Sequence, residues 1–273
     1  MNLPRGKGLF VRSWHVTTQV VTGSPRSFVD AYRAAGFQWA APVTLGGTVV
    51  KLRQREYWQA MRDNGVKCYG TWVLPEPGPD TLDRARRFVA DMHSLGADGV
   101  INDPELAYKE RPDDAQALHE VLRSECRSAG LTLGFTSYSV PDFHPSFPWE
   151  AFRDSDFALA QTYDRDNRFD PRYFQRAIDG YEERGFRNVF PCFGLNDHAR
   201  RTTKSVPNLR KHLSLIPASQ AVCGWGPPTI PSAQWRVLSA WRNSGIAGNS
   251  GSGAGLIGGA ILALLIGNAL LKG

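Results

Sequence analysis

Ala97-Asp98-Gly99-Val100-Ile101-Asn102-Asp103-Pro104-Glu105 closes a short apolar run with two carboxylates two positions apart. In an extended chain, residues i and i+2 face the same way, so Asp103 and Glu105 project together beyond the end of a strand. Such a pair is the minimum equipment for acid-assisted cleavage of a glycosidic bond. It is equally an ordinary pattern of solvated loop charges. The place of this strand among its neighbours separates the two readings.

On both sides of it, apolar runs alternate with amphipathic stretches. Strand-like runs cover 8–16, 37–44, 66–74, 99–103, 132–138, 157–163, 188–193 and 220–225, and helical patterns cover 27–35, 53–64, 81–95, 113–129, 148–154, 171–184, 206–215 and 232–241. Gly36, Gly65, Gly96, Gly130 and Gly185 each stand between a helical pattern and the next strand, the place of a C-terminal cap. Eight βα units over residues 1–242 predict a (β/α)8 TIM barrel. An open doubly wound sheet uses fewer strands and often a glycine-rich phosphate loop after its first, and no G-x-G-x-x-G follows strand one here.

In such a barrel, catalytic groups gather where strands end. The predicted ends carry Trp14 and His15 after strand one, Trp72 after three, Asp103 and Glu105 after four, and Tyr138 after five. Gln161, Tyr163 and Asp164 follow strand six, Asn196 and Asp197 follow seven, and Trp225 ends eight. Any one aromatic is explained as well by packing. Several beside carboxylates and amides suit a pyranose ring, whose faces are apolar while its hydroxyls need directional partners.

The 273 residues are 42% hydrophobic, enough for a full core, and carry a net charge of +6 without a long basic run or a nucleic-acid motif. That leaves a general bias toward anionic partners and no specific nucleic-acid partner. Cys68, Cys126, Cys192 and Cys223 stand apart, which suggests buried free thiols, and the six histidines form no ligand cluster. Neither a metal nor another cofactor is expected. The N-terminal residues lack the apolar stretch of a signal peptide.

Asp98 to Glu105 resembles the D-x-x-D-x-D-x-E strand-four signature of family 18 glycoside hydrolases, the chitinase-like barrels. Gln161-Thr162-Tyr163-Asp164 resembles their strand-six M-x-Y-D, and Trp225 stands where they keep a tryptophan. Ile101 departs from the pattern at its middle aspartate and Gln161 at its methionine. Family 25 lysozymes also carry D-x-E after strand four but add an aspartate at strand one, where this chain has Ser13, Trp14 and His15.

The resemblance implies catalytic roles for Glu105, Asp103, Tyr163 and Asp164. Glu105 would protonate the leaving oxygen, and Asp103 would orient a substrate acetamide that attacks in place of a protein nucleophile. Tyr163 would donate to that acetamide, and Asp164 would hold a sugar hydroxyl or support Asp103. Trp14, Trp72, Tyr138, Gln161 and Trp225 would bind substrate. The implied substrate is an N-acetylated polysaccharide, with peptidoglycan preferred over chitin. With Ile101 in place of a carboxylate, a non-catalytic carbohydrate-binding or structural barrel is the alternative.

After Arg242 the composition changes to a Gly/Ser-rich linker over 243–255. An apolar segment over 256–272 follows, and no charge occurs between Arg242 and Lys272. Ala247, Gly251, Gly255, Gly259, Ala263 and Gly267 recur every four positions, the small-residue stripe along which membrane helices pack. The expectation is a C-terminal membrane-inserting helix able to self-associate, which would place the barrel at a bacterial cell envelope or in a bacteriophage virion.

Overall fold

The computed structural model describes residues 3–11, 24–45, 52–163, 170–197, 202–216, 222–225 and 230–241. In order these hold β1 (Lys7–Val11), α1 (Pro25–Ala34), β2 (Phe37–Leu45), α2 (Leu52–Asp63), β3 (Lys67–Val73), α3 (Thr81–Ser94), β4 (Gly99–Asp103) and α4 (Pro112–Ala129). Then come β5 (Thr132–Ser137), β6 (Phe157–Ala160), α5 (Pro171–Glu183), β7 (Val189–Gly194), a two-stranded ribbon of β8 (Asn196–Asp197) and β9 (Thr202–Thr203), α6 (Val206–Leu213), β10 (Val222–Trp225) and α7 (Ser232–Ala240). Eight parallel strands close in the order β1-β10-β7-β6-β5-β4-β3-β2. The fold is thus the expected α/β barrel.

Local chemistry sets the element ends. Ser24 caps α1 by accepting from Ser27 N–H, Asp170 caps α5 through Arg172 N–H, and a proline follows each cap. All five glycines expected at helix ends have positive φ, from 68° to 84°. Such angles suit a residue without a Cβ. At the start of β4 the Asp98 carboxylate accepts from Cys68 N–H, and before β6 the Asp156 carboxylate accepts from Leu133 N–H. Both side chains fix strand register from the barrel base.

Alternation sorts the strand residues into two layers. Phe10, Trp39, Ala41, Tyr69, Ile101, Phe157, Leu159 and Cys192 fill the barrel interior, and Tyr163 packs with them. Their neighbours in sequence, such as Leu9, Ala40, Cys68, Val100 and Phe135, belong to the outer layer under the helices. Glycines make room between bulky groups: a Cβ at Gly134 would lie 2.3 Å from the Phe157 ring, and one at Gly8 2.1 Å from Trp39.

At the base, Lys7 is 3% exposed. It donates to the carbonyls of Ala35 after α1, Leu238 in α7 and Trp241 beyond it. The rings of Phe37 and Trp241 lie 5.2 and 5.8 Å away. One buried cation thus ties the first strand to the first and last helices, each at its negative C-terminal end.

The expected helix over 148–154 is instead a single 3-10 turn, Trp149–Phe152. Pro148 and the aromatic content explain the difference, because the segment serves as a plug. Trp149 and Phe152 join Phe135, Phe147, Tyr181 and Phe186 in stacked and edge-on contacts that cover β5 where a helix would otherwise lie. The linker and apolar segment expected over 243–272, with the small-residue stripe, lie outside the described residues. Among the described residues no helix is long and apolar enough to cross a membrane.

Candidate active site

Asp103 is the last residue of β4 and the third inward-facing position on that strand after Gly99 and Ile101. Three neighbouring strands hold the segment that follows it. Leu74 N–H, beyond β3, donates to Asp103 O at 3.0 Å. The Ser137 hydroxyl at the end of β5 donates to Pro104 O at 2.7 Å. From the loop after β6, Gln161 Nε2 donates to Asp103 Oδ1 at 3.1 Å and to Glu105 Oε1 at 3.2 Å. The two carboxyls therefore meet at one amide on the C-terminal mouth of the barrel.

The pair sits at the edge of the core. Asp103 is 5% exposed, and Glu105 is half-buried. Burial holds the Asp103 carboxyl well above the usual carboxylate range, with the Glu105 charge adding to the rise and the Gln161 hydrogen bond opposing it. Below the pair lies Ile101, completely buried against the apolar interior. The position where the resembled pattern has an aspartate is thus part of the barrel core.

Gln161, Thr162 and Tyr163 are themselves pinned. His212 Nε2 on α6 donates to Thr162 O at 2.8 Å, which puts the ring proton on that nitrogen. The Lys204 ammonium, completely buried, donates to Tyr163 O at 3.1 Å, and Thr162 Oγ1 donates to Cys192 O at 3.2 Å. Burial and the Lys204 charge push the His212 pKa down to about 3, so the ring is neutral at ordinary pH.

The other expected site residues divide. Tyr163 is 8% exposed, and its hydroxyl lies 3.9 Å from Cys192 Sγ at the top of the interior packing. Tyr138, half-buried, stacks on His144 with ring centroids 3.8 Å apart, and Lys109 lies over its ring. Gln161 is in the site, 7% exposed, with its amide nitrogen serving the two carboxyls.

Trp72 is a correction. It points outward from β3, fully buried against Phe88 of α3 and under Arg84, and lines no mouth. The cause is parity: Tyr69 faces inward on the same strand, so Trp72, three positions on, faces out. Trp14, His15 and Asp164, and the side chains of Asn196, Asp197 and Trp225, lie outside the described residues. The backbone of Trp225 ends β10 beside Gly194.

Sequence reasoning did not reach Lys204, His212 or Tyr181. The Tyr181 phenol on α5 donates to Tyr138 O at 2.6 Å, and burial together with the Asp103 charge raises its pKa far above normal. These residues stand 41 to 50 positions from the segments they hold, in stretches with no local motif. Cys68, Cys126 and Cys192 are buried thiols, and no group of three His, Cys, Asp or Glu with metal-binding geometry occurs among the described residues.

No family model and no curated protein matches the sequence. Solved structures are similar in fold. A class V chitinase from Pseudomonas fluorescens Pf-5 gives a TM-score of 0.62 at 10% identity, over 88% of this chain and 99% of that one. The spore cortex-lytic enzyme SleL from Bacillus cereus gives 0.57 at 11%, over 86% and 73%. A xylanase-alpha-amylase inhibitor protein in complex with trehalose gives 0.56 at 14%, over 90% and 98%. At these identities the likeness establishes the barrel and leaves activity to the site.

Proposed function

We propose that this chain is a glycoside hydrolase acting on an N-acetylhexosamine polymer, with peptidoglycan as its substrate and Glu105 as its general acid. The carrying observation is the convergence of Asp103 and Glu105 on Gln161 Nε2, at 3.1 and 3.2 Å, where the fourth barrel strand ends. An acid must reach the leaving oxygen from an ordered position. The half-buried Glu105, anchored at its base through Pro104 O, supports that role.

Asp103, with its proton affinity raised by burial, suits the partner of an acetamide: it accepts the amide N–H while the acetamide oxygen attacks the anomeric carbon. Tyr163 and Asp164 complete the acetamide site in this reading, and Trp14, Tyr138 and Trp225 flank the sugar. Similarity in fold to proteins described as a chitinase and a cortex-lytic enzyme supports the substrate class. The uncharged apolar stretch 256–272 is read as a membrane-inserting, self-associating segment that keeps the barrel at a bacterial envelope or within a phage particle.

A zymogram on purified peptidoglycan and on chitin tests the chemistry. The wild type should release reducing ends, and Glu105→Gln should lower the rate by about 100-fold or more. The buried Ile101 favours a second reading, a sugar-binding barrel without turnover, since the same fold occurs in a protein described as an inhibitor. Binding of wall polymer by a wild type that releases no reducing ends would establish that reading instead.

A further inference from the structure

Gln161 makes a pattern of contacts that a substrate ligand does not need. A glutamine amide nitrogen has two protons, and both carboxyls lie within hydrogen-bond distance of this one atom. Among the described residues, the Asp103 side chain has no other hydrogen-bond donor and no ion pair with Lys, Arg or His. A carboxyl buried to 5% exposure thus depends on one neutral dipole for its polar contact. The backbone behind that dipole is unusually well fixed, since His212 and Lys204 hold the carbonyls of Thr162 and Tyr163.

The geometry points to Gln161 as the positioning residue of the carboxyl pair: it gives one amide proton to each carboxyl, fixing Asp103 and Glu105 relative to one another without adding a charge to the mouth. A cation here would hold both carboxyls ionised and remove the acid. A methyl or methylene group would leave the buried Asp103 carboxyl beside Glu105 without its amide donor. The neutral bridge allows one carboxyl to keep its proton while the other is ionised, because the amide can also turn its oxygen toward a protonated carboxyl. Burial raises the proton affinity of Asp103 and this hydrogen bond opposes the rise, so the bridge favours the ionised Asp103 that an acid at Glu105 requires. Among the described residues, the ionisable groups coupled to Asp103 are Glu105 on its own segment and the Tyr181 phenol on α5.

The inference rests on reading Asp103 and Glu105 as the catalytic carboxyls, and the test separates the two. In the full-length protein, carbon-13 NMR follows the carboxyl titrations of Asp103 and Glu105 without substrate, in the wild type and in Gln161→Met. Loss of the bridge should move the Asp103 inflection upward by about one pH unit or more. In steady-state assays the same variant should lose at least about 10-fold in kcat with KM within about two-fold, and its pH profile should move with the titration. An unchanged Asp103 titration in a folded Gln161→Met protein overturns the inference. So does a rise in KM with kcat and pH profile preserved, which would make Gln161 a substrate ligand alone. If Gln161→Met does not fold, Gln161→Asn withdraws the amide by one methylene and must give the same upward shift. A titration shift in a protein without turnover keeps the bridge and discards the hydrolase.

Discussion

Asp103 carries its carboxyl in a place that favours the neutral acid, and this has a thermodynamic sign. Its proton affinity is higher in the folded chain than in the unfolded one, so the native state binds the extra proton. The associated stability is present below the unfolded carboxylate range and is lost as pH rises through the folded value. Asp103→Asn removes the ionisation and should raise the thermal midpoint at pH 7. The gain should shrink toward zero near pH 3 to 4, where the carboxyl is protonated in both states. Differential scanning calorimetry at the two pH values checks both the sign and the trend. Activity should fall in the same variant, as expected where a site holds groups in unfavourable surroundings. The pair was legible in the sequence because D-x-E on a strand fixes which way two side chains point. Gln161 was visible as a strand-end residue, but its bridging role was not, since a hydrogen bond across 58 positions leaves no local pattern.

Among the elements, β4 begins at a glycine whose close neighbour is backbone. A Cβ on Gly99 would lie 2.3 Å from Thr132 O and 2.9 Å from the Tyr69 ring. The first of these is backbone in a paired strand and cannot turn aside. Gly99→Ala should therefore cost about 3 kcal/mol, measured as a lower urea midpoint, by forcing β4 away from β5. Gly130→Ala, at φ 70° with open space around it, bears only the left-handed backbone penalty of about 1 kcal/mol and serves as its comparison. Strand and helix positions were legible because period-2 and period-3.6 patterns follow directly from the layers they pack against. Two features were not. The Trp149–Phe152 turn has helical-looking polarity, yet its aromatics fill space over β5. Trp72 sits at a strand end, yet one step of parity sends it under α3.

For the whole molecule, the alternation of eight strands with helices was enough to reach the closed barrel. The tail reading is a claim about the entire chain. Full-length protein should pellet with anionic lipid vesicles, whereas a chain lacking residues 243–273 should stay in the supernatant with its barrel folded. Equal partitioning of the two would refute the membrane segment. The Lys7 ammonium also belongs at this scale. Its acceptors at Leu238 and Trp241 stand 231 and 234 positions away. At about 5 to 20 residues per second of synthesis, they leave the ribosome on the order of ten to fifty seconds after the lysine does. Throughout that interval the first strand has no last strand to pair with, and of its lysine's three carbonyl acceptors only Ala35 O has been made. The seam between the first and last strands is therefore the last part of the barrel to close as the chain is made.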